Sequence, residues 1–189
     1  METTAEDLIL RHAFIQAVMA RGCMPEEEAK QLHRSLTQRS SDRAYQVFLS
    51  EVNQKLDFAH FEVRTMSNLF DGSRWVGFVN KVIDDASKSL QNQPSGFTHA
   101  QLIFFKSIID KLALDEDCEA GKASISSTDV LNIGLDGQGG AGDADAAALR
   151  KMSHMEKQET LNALAKQHWL EHHPSQSGCY CIGVRSFME

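Results

Sequence analysis

No stretch of this chain approaches the roughly 18 consecutive apolar residues of a membrane span. The short run Leu8-Ile9-Leu10 lies between Glu6-Asp7 and Arg11-His12, so it has neither the basic start nor the long apolar core of a signal peptide. Both absences predict a soluble, intracellular protein with no membrane partner. Positive charge is scarce as well. The formal net charge is -7, with 11 Lys/Arg against 13 Asp/Glu in residues 1–90 and 8 against 13 in residues 91–189. Neither half has a broad attraction for nucleic acid or anionic lipid, and any basic patch has to be local.

The usual signs of catalysis and metal binding are missing too. Cys23, Cys118, Cys179 and Cys181 offer one Cys-x-Cys pair, which is neither a redox CxxC nor half of a common zinc site. On a strand the pair shares one face. Its expected role is that of inert, partly buried thiols in a reducing compartment. His12, His33, His60, His99, His154, His168, His172 and His173 fall into no Ser/His/Asp or Cys/His arrangement and read as surface or packing residues. The glycine-rich run Gly137–Asp143 is followed by no Gly-Lys-Ser/Thr and preceded by no strand, which excludes a phosphate loop. No catalytic, cofactor-binding or metal residue is assigned.

What is present is one helical layout carried twice. Leu10, Phe14, Ala17 and Val18 recur at helical spacing, and Gly22 stands where a C-cap glycine belongs, so a first helix ends near Arg21. Pro25 opens a second helix, with Glu26, Glu27 and Glu28 at its dipole-favoured end and Ala29, Leu32 and Leu36 as its buried stripe. Three consecutive glutamates splay over different faces, which favours helix capping over a metal site. Ser41 or Asp42 caps a third helix, whose apolar face is Tyr45, Phe48, Leu49, Val52 and Leu56. From Phe61 the period becomes two; Asp71-Gly72 turns the chain, and Trp75–Val79 returns it.

After a Ser-, Asn-, Gln- and Pro-rich linker, Ser87–Ser95, the plan repeats. Thr98 and Gln101 form a capping box, flanked by the staple pair Phe97 and Leu102, and start a helix through Phe105, Ile108, Ile109 and Leu112 that stops before Asp115-Glu116-Asp117. Ala123–Ile125 makes a small strand, and Ser126 or Ser127 caps a short helix through Val130, Leu131 and Ile133. Ser153 and Glu156 form a second capping box ahead of Leu161, Leu164, Ala165 and His168. Trp169-Leu170-Glu171 and Cys179–Val184 flank a wing turn at Pro174–Gly178.

The fold expected is mainly α with small β-hairpins, an α+β chain of tandem winged-helix domains. Domain A covers 6–82, a linker or short helix 83–97, and domain B 98–187 with a mobile Gly-rich loop over 134–147. A DNA-reading winged helix presents Arg, Lys, Asn or Gln on its third helix. Here the third helices carry Arg43 and Lys55 against Asp42 and Glu51, and Lys157 and Lys166 against Glu156 and Glu159. That balance favours protein docking over sequence-specific DNA binding. The expected contributors are the first helix around Leu10, Phe14 and Val18 and the helices of the second module.

Specific residues add a resemblance. Arg11–Gly22, the wing Gly72–Asn80, Ser126–Asn132 and Gln167–Leu170 stand in the order characteristic of the tandem winged-helix region of the non-SMC element 1 family, which the chain resembles from about residue 8 to its end. The resemblance implies a nuclear subunit of the structural maintenance of chromosomes five/six complex, acting in DNA repair and chromosome maintenance. It implies docking onto the MAGE-like element 3 subunit, which also engages the kleisin-like element 4. The family carries RING-type ubiquitin ligase activity in a zinc-binding domain that follows the second wing and needs eight Cys/His ligands. This sequence stops first, at Phe187-Met188-Glu189, as expected of a truncated form, an incomplete gene model or a short isoform. Zinc is expected only in that missing domain, and the 189 residues alone are expected to be inactive as a ligase. The loop Gly137–Asp145 reads longer and less basic than the family's, which leaves at most weak DNA contact there. The rival readings are a winged-helix DNA-binding regulator and a ligase active in this form.

Overall fold

The computed structural model describes residues 5–82, 96–115, 123–134 and 143–189. It divides into two units, Met1–Val82 with Phe187–Glu189, and Ile83–Ser186. The linker Ser87–Ser95, Glu116 and Asp117, Cys118 and the glycines from Gly137 to Gly142 lie outside the described residues.

Unit one runs α1 (Ala5–Arg21), β1 (Cys23–Pro25), α2 (Glu26–Thr37), α3 (Asp42–Leu56), β2 (Phe61–Ser67) and β3 (Arg74–Asn80). Its antiparallel sheet has the order β1-β3-β2. Unit two runs α4 (His99–Ala113), β4 (Ile125–Ser126), α5 (Ser127–Asn132), α6 (Asp143–Lys151), α7 (His154–Lys166), β5 (Leu170–His172) and β6 (Cys179–Ile182), ahead of a short α8 (Val184–Met188). Its sheet order, β4-β6-β5, is the same pattern. In both units a leading helix, a short strand and further helices precede a hairpin, and the short strand joins the hairpin's last strand. This is the winged-helix plan, with α6 inserted in unit two.

The local signals act where the residues place them. Gly22 ends α1 at φ 74°, a left-handed conformation in which a side chain would be strained. The Ser41 hydroxyl caps α3 by accepting from Ala44 N at 3.1 Å, and Ser126 caps α5 by accepting from Asp129 N at 3.1 Å. Both capping boxes close: Thr98 N donates to Gln101 Oε1 at 2.8 Å, and Ser153 N donates to Glu156 Oε2 at 2.7 Å.

Two segments depart from the sequence reading. Cys23 and Met24, expected as the passage between two helices, and Pro25, expected to open the second, instead form a strand paired with Gly77-Val76-Trp75. Pro25 sits at ψ 140°, extended enough to end a strand, and the burial of Cys23 and Met24 holds the segment against the sheet. The loop expected over 134–147 is also shorter, because α6 begins at Asp143. Ala146, Ala147 and Ala148 are strong helix formers, and Leu149 anchors the helix in the core.

Unit one is filled by Phe14, Val18, Tyr45, Phe48, Val52 and Val76, with the Phe14 ring edge-on to Phe48 at 5.2 Å. Unit two is filled by Phe104, Ile108, Leu112, Leu161, Leu164 and Leu170. Its α4 and α7 are joined by a partly buried polar contact, Gln101 Nε2 donating to Thr160 Oγ1 at 3.0 Å. On Asn53 of α3 the amide both donates to Val63 O at 3.1 Å and accepts from Val63 N at 2.8 Å, which blunts the outer edge of β2. Gly183 follows β6 where a Cβ would come within 2.7 Å of the His168 carbonyl carbon, so only glycine fits.

His33 is buried between the rings of Tyr45, at 5.7 Å, and Phe48, at 4.8 Å. Burial lowers its pKa below the ordinary range, and the charges of Arg39 and Arg34 lower it further. As pH falls past the ordinary value near 6.5, the unfolded chain takes up this proton before the folded one does. Stability therefore drops from about pH 6.5 downward until the folded value is reached. The thermal midpoint of the wild type should fall more between pH 7 and pH 5 than that of His33→Leu, measured by scanning fluorimetry. Equal shifts would rule out this coupling.

Candidate interaction surfaces

Helix α1 exposes apolar side chains outside the stripe that fills the core. Phe14 and Val18 are fully buried, so these two expected docking residues belong to the core, and Leu10 is half-buried. At about 100° per residue, Ile9, His12, Gln16 and Met19 fall within about 40° of the point opposite Phe14, while Leu8 lies on the flank, about 120° from Phe14 and about 80° from Val18. Leu8, Ile9 and Met19 are 60%, 66% and 48% exposed. At about 1.5 Å per residue Leu8 to Met19 spans about 16 Å, with the exposed His12 and Gln16 between them. The sequence held the signal: Leu8, Ile9 and Met19 stand off the stripe that fills the core.

The two third helices present different chemistry. On α7 the exposed side chains are His154, Met155, Glu156, Glu159, Asn162 and Lys166. Lys157, which the sequence reading counted as a surface cation, is buried. Its Nζ donates to Ile133 O at 2.7 Å and Leu131 O at 3.0 Å, capping the end of α5 from a neighbouring helix, and lies 6.0 Å from the centre of the Phe104 ring. Burial lowers its pKa. The outer face of α7 is therefore acidic on balance. On α3 the correction runs the other way. Glu51 is held by Arg11 at 2.6 Å and Asp42 lies 3.6 Å from Lys30, which leaves Arg43 and Lys55 as its unpaired exposed charges among the described residues.

The acidic triplet at the start of α2 is spread over three environments. Glu26 is buried with Oε2 3.1 Å from Arg74 Nε, Glu27 accepts from Lys30 at 2.8 Å, and Glu28 is exposed. Among the described residues no three His, Cys, Asp or Glu side chains converge as a metal site, and no helix is long and apolar enough to cross a membrane. His172 packs against Tyr180 at 4.7 Å, while His173 Nδ1 accepts from Ser175 N and Gln176 N and shapes the wing turn.

Cys179 is half-buried and Cys181 is buried, with the Cys181 thiol pushed up to about 12 by burial and by the nearby Glu171 carboxylate. A thiol with that value is protonated and unreactive at neutral pH. Site-resolved mass spectrometry after iodoacetamide treatment at pH 8 should find Cys181 unmodified in the folded chain and modified in denaturant; modification under native conditions would contradict its burial. Lys157→Ala should cost about 2–4 kcal/mol in denaturant unfolding, because it strands two carbonyls and opens a cavity. A change under about 0.5 kcal/mol would mean that water replaces the ammonium without penalty.

A family model described as "Nse1 non-SMC component of SMC5-6 complex" matches residues 11–189. Among solved structures, a chain of an "Nse1-Nse3-Nse4 complex" superposes on this one with a TM-score of 0.75 and 21% sequence identity, covering 100% of this chain and 73% of that chain. No curated protein matches. The structural likeness speaks for the fold, and it agrees with the two winged-helix units. With the family model spanning nearly all of the sequence, the chain belongs to the Nse1 family, the non-SMC component of the SMC5-6 complex.

Proposed function

We propose that this chain is a winged-helix scaffold of the SMC5-6 complex that docks onto the MAGE-like Nse3 subunit and, through that pair, meets the kleisin-like Nse4. The observation that carries the reading is the exposed apolar set Leu8, Ile9 and Met19 on α1, outside the stripe of buried Phe14 and Val18. Exposed apolar faces of this kind mark surfaces for another polypeptide. The solved structure of similar fold is that of a complex containing Nse3 and Nse4. Membership of the family supports nuclear residence and a role in DNA repair and chromosome maintenance. Ligase chemistry in this family belongs to the zinc-binding RING-like domain; the winged-helix units orient partners and are assigned no catalytic residue.

The test is co-purification with Nse3 and titration of the pair by calorimetry. A 1:1 heterodimer is expected with the wild type. Leu8→Glu combined with Met19→Glu, both on exposed positions, should weaken it about a hundredfold or more, since apolar anchors at an interface centre cost about 1–2 kcal/mol each when lost. Circular dichroism should show the variant folded. Absence of a heterodimer with folded wild type overturns the scaffold reading, and full affinity in the folded double variant overturns the assignment to α1.

A further inference from the structure

The outward face of α3 differs from every other helix face described above. Taking Arg43 as the reference, Val47, Ser50 and Gln54 lie within about 40° of it around the helix and Gln46 within about 60°. All five are exposed. No carboxylate stands in that sector, because Asp42 and Glu51 flank it on opposite sides and are directed to Lys30 and Arg11. At about 1.5 Å per residue, Arg43 to Gln54 spans about 16 Å.

Two further arginines border the start of this face. Arg34 is in the last turn of α2, and Arg39 is in the turn that follows the left-handed cap Gln38. Both are exposed and both act electrostatically on the same imidazole, that of His33. Glu27, two turns away on Arg34's side of α2, is held by Lys30 at 2.8 Å. Among the described residues no carboxylate lies within ion-pair distance of Arg34, Arg39 or Arg43. Three uncompensated guanidinium groups around one helix start, in a chain of net charge -7, form a local exception to its charge.

We propose that this face is a contact for duplex DNA, with Arg34, Arg39 and Arg43 on backbone phosphates and the amide side chains of Gln46 and Gln54 toward base edges of the major groove. Guanidinium groups match phosphate oxygens in geometry and charge, and glutamine amides pair with the donor and acceptor edge of adenine. The third helix of a winged-helix unit is also the element that enters a major groove about 12 Å wide. An acidic protein would be attracted by the arginines but has no particular need of the uncharged Gln-Ser-Gln row. The α7 face, with Glu156, Glu159 and Met155, is not expected to share this role.

Fluorescence anisotropy of a labelled mixed-sequence duplex with the whole 189-residue chain tests this. Three phosphate contacts predict binding that weakens about fortyfold between about 50 and 200 mM salt. The triple variant R34Q/R39Q/R43Q should lose at least about tenfold in affinity at the lower salt and much of the salt dependence, while Lys166→Gln on α7 should bind as the wild type does. The single variant Arg39→Gln, in a surface turn, provides an intermediate loss should the triple variant fail to fold. Absence of binding by the wild type at the lower salt, equal binding by R34Q/R39Q/R43Q, or an equal loss in Lys166→Gln would overturn the proposal. Equal affinity for duplex RNA, whose major groove is too deep and narrow for a helix, would overturn the groove contact. Heterodimer formation with Nse3, measured on the same triple variant, should be unchanged, which separates this proposal from the scaffold reading.

Discussion

A few backbone pairs tie the end of each leading helix region to the far strand of a hairpin that arrives many residues later. In unit one they are Cys23, Met24 and Pro25 against Gly77, Val76 and Trp75; in unit two they are Ile125 and Ser126 against Tyr180 and Cys179. Without them the hairpin would be a two-stranded ribbon, marginal by itself in water. With them it becomes a three-stranded sheet with a buried side, and the helices have one apolar wall to fill. Everything that follows about which side chains are inside and which are left over depends on that closure.

Units of this size bury a small core, and each helix contributes one face to it. The consequence is plainest on α1, where Phe14 and Val18 satisfy the core while Leu8, Ile9 and Met19 remain in water. The surplus is on exposed helix faces, and faces of that kind suit assembly. The two third helices then differ because their flanking charges differ: α7 loses a lysine to its core, whereas both carboxylates of α3 are drawn aside by cations from other helices.

Buried polar groups and ion pairs separate the effective charge of a helix face from its formal charge. Lys157 is held inside by two carbonyl oxygens, Glu26 by Arg74 and His33 by aromatic neighbours. Each costs desolvation, and each is acceptable only with its partners in place. Counting charges along a helix treats all of them as surface groups, so it understates how acidic α7 is and hides how basic α3 is. Only a three-dimensional arrangement distinguishes Lys157 from Lys166.

The helices and their starts were legible in the sequence because their causes are local. A Thr98 hydroxyl and a Gln101 amide satisfy exposed amides within four residues, Gly22 supplies a left-handed backbone, and the change from a period of 3.6 to one of two at Phe61 is visible in a short window. The motif order from Arg11 to Leu170 likewise carried the family. What residues near one another in sequence could not decide were pairings made at a distance: that Cys23–Pro25 is a strand depends on Trp75–Gly77, and that α6 starts at Asp143 depends on the pocket that takes Leu149. The same holds for the surfaces. Periodicity identified α1 as amphipathic, but which of its apolar residues fill the core and which stay exposed is settled only by the groups packed against it, since burial is a property of neighbours and not of the residue itself.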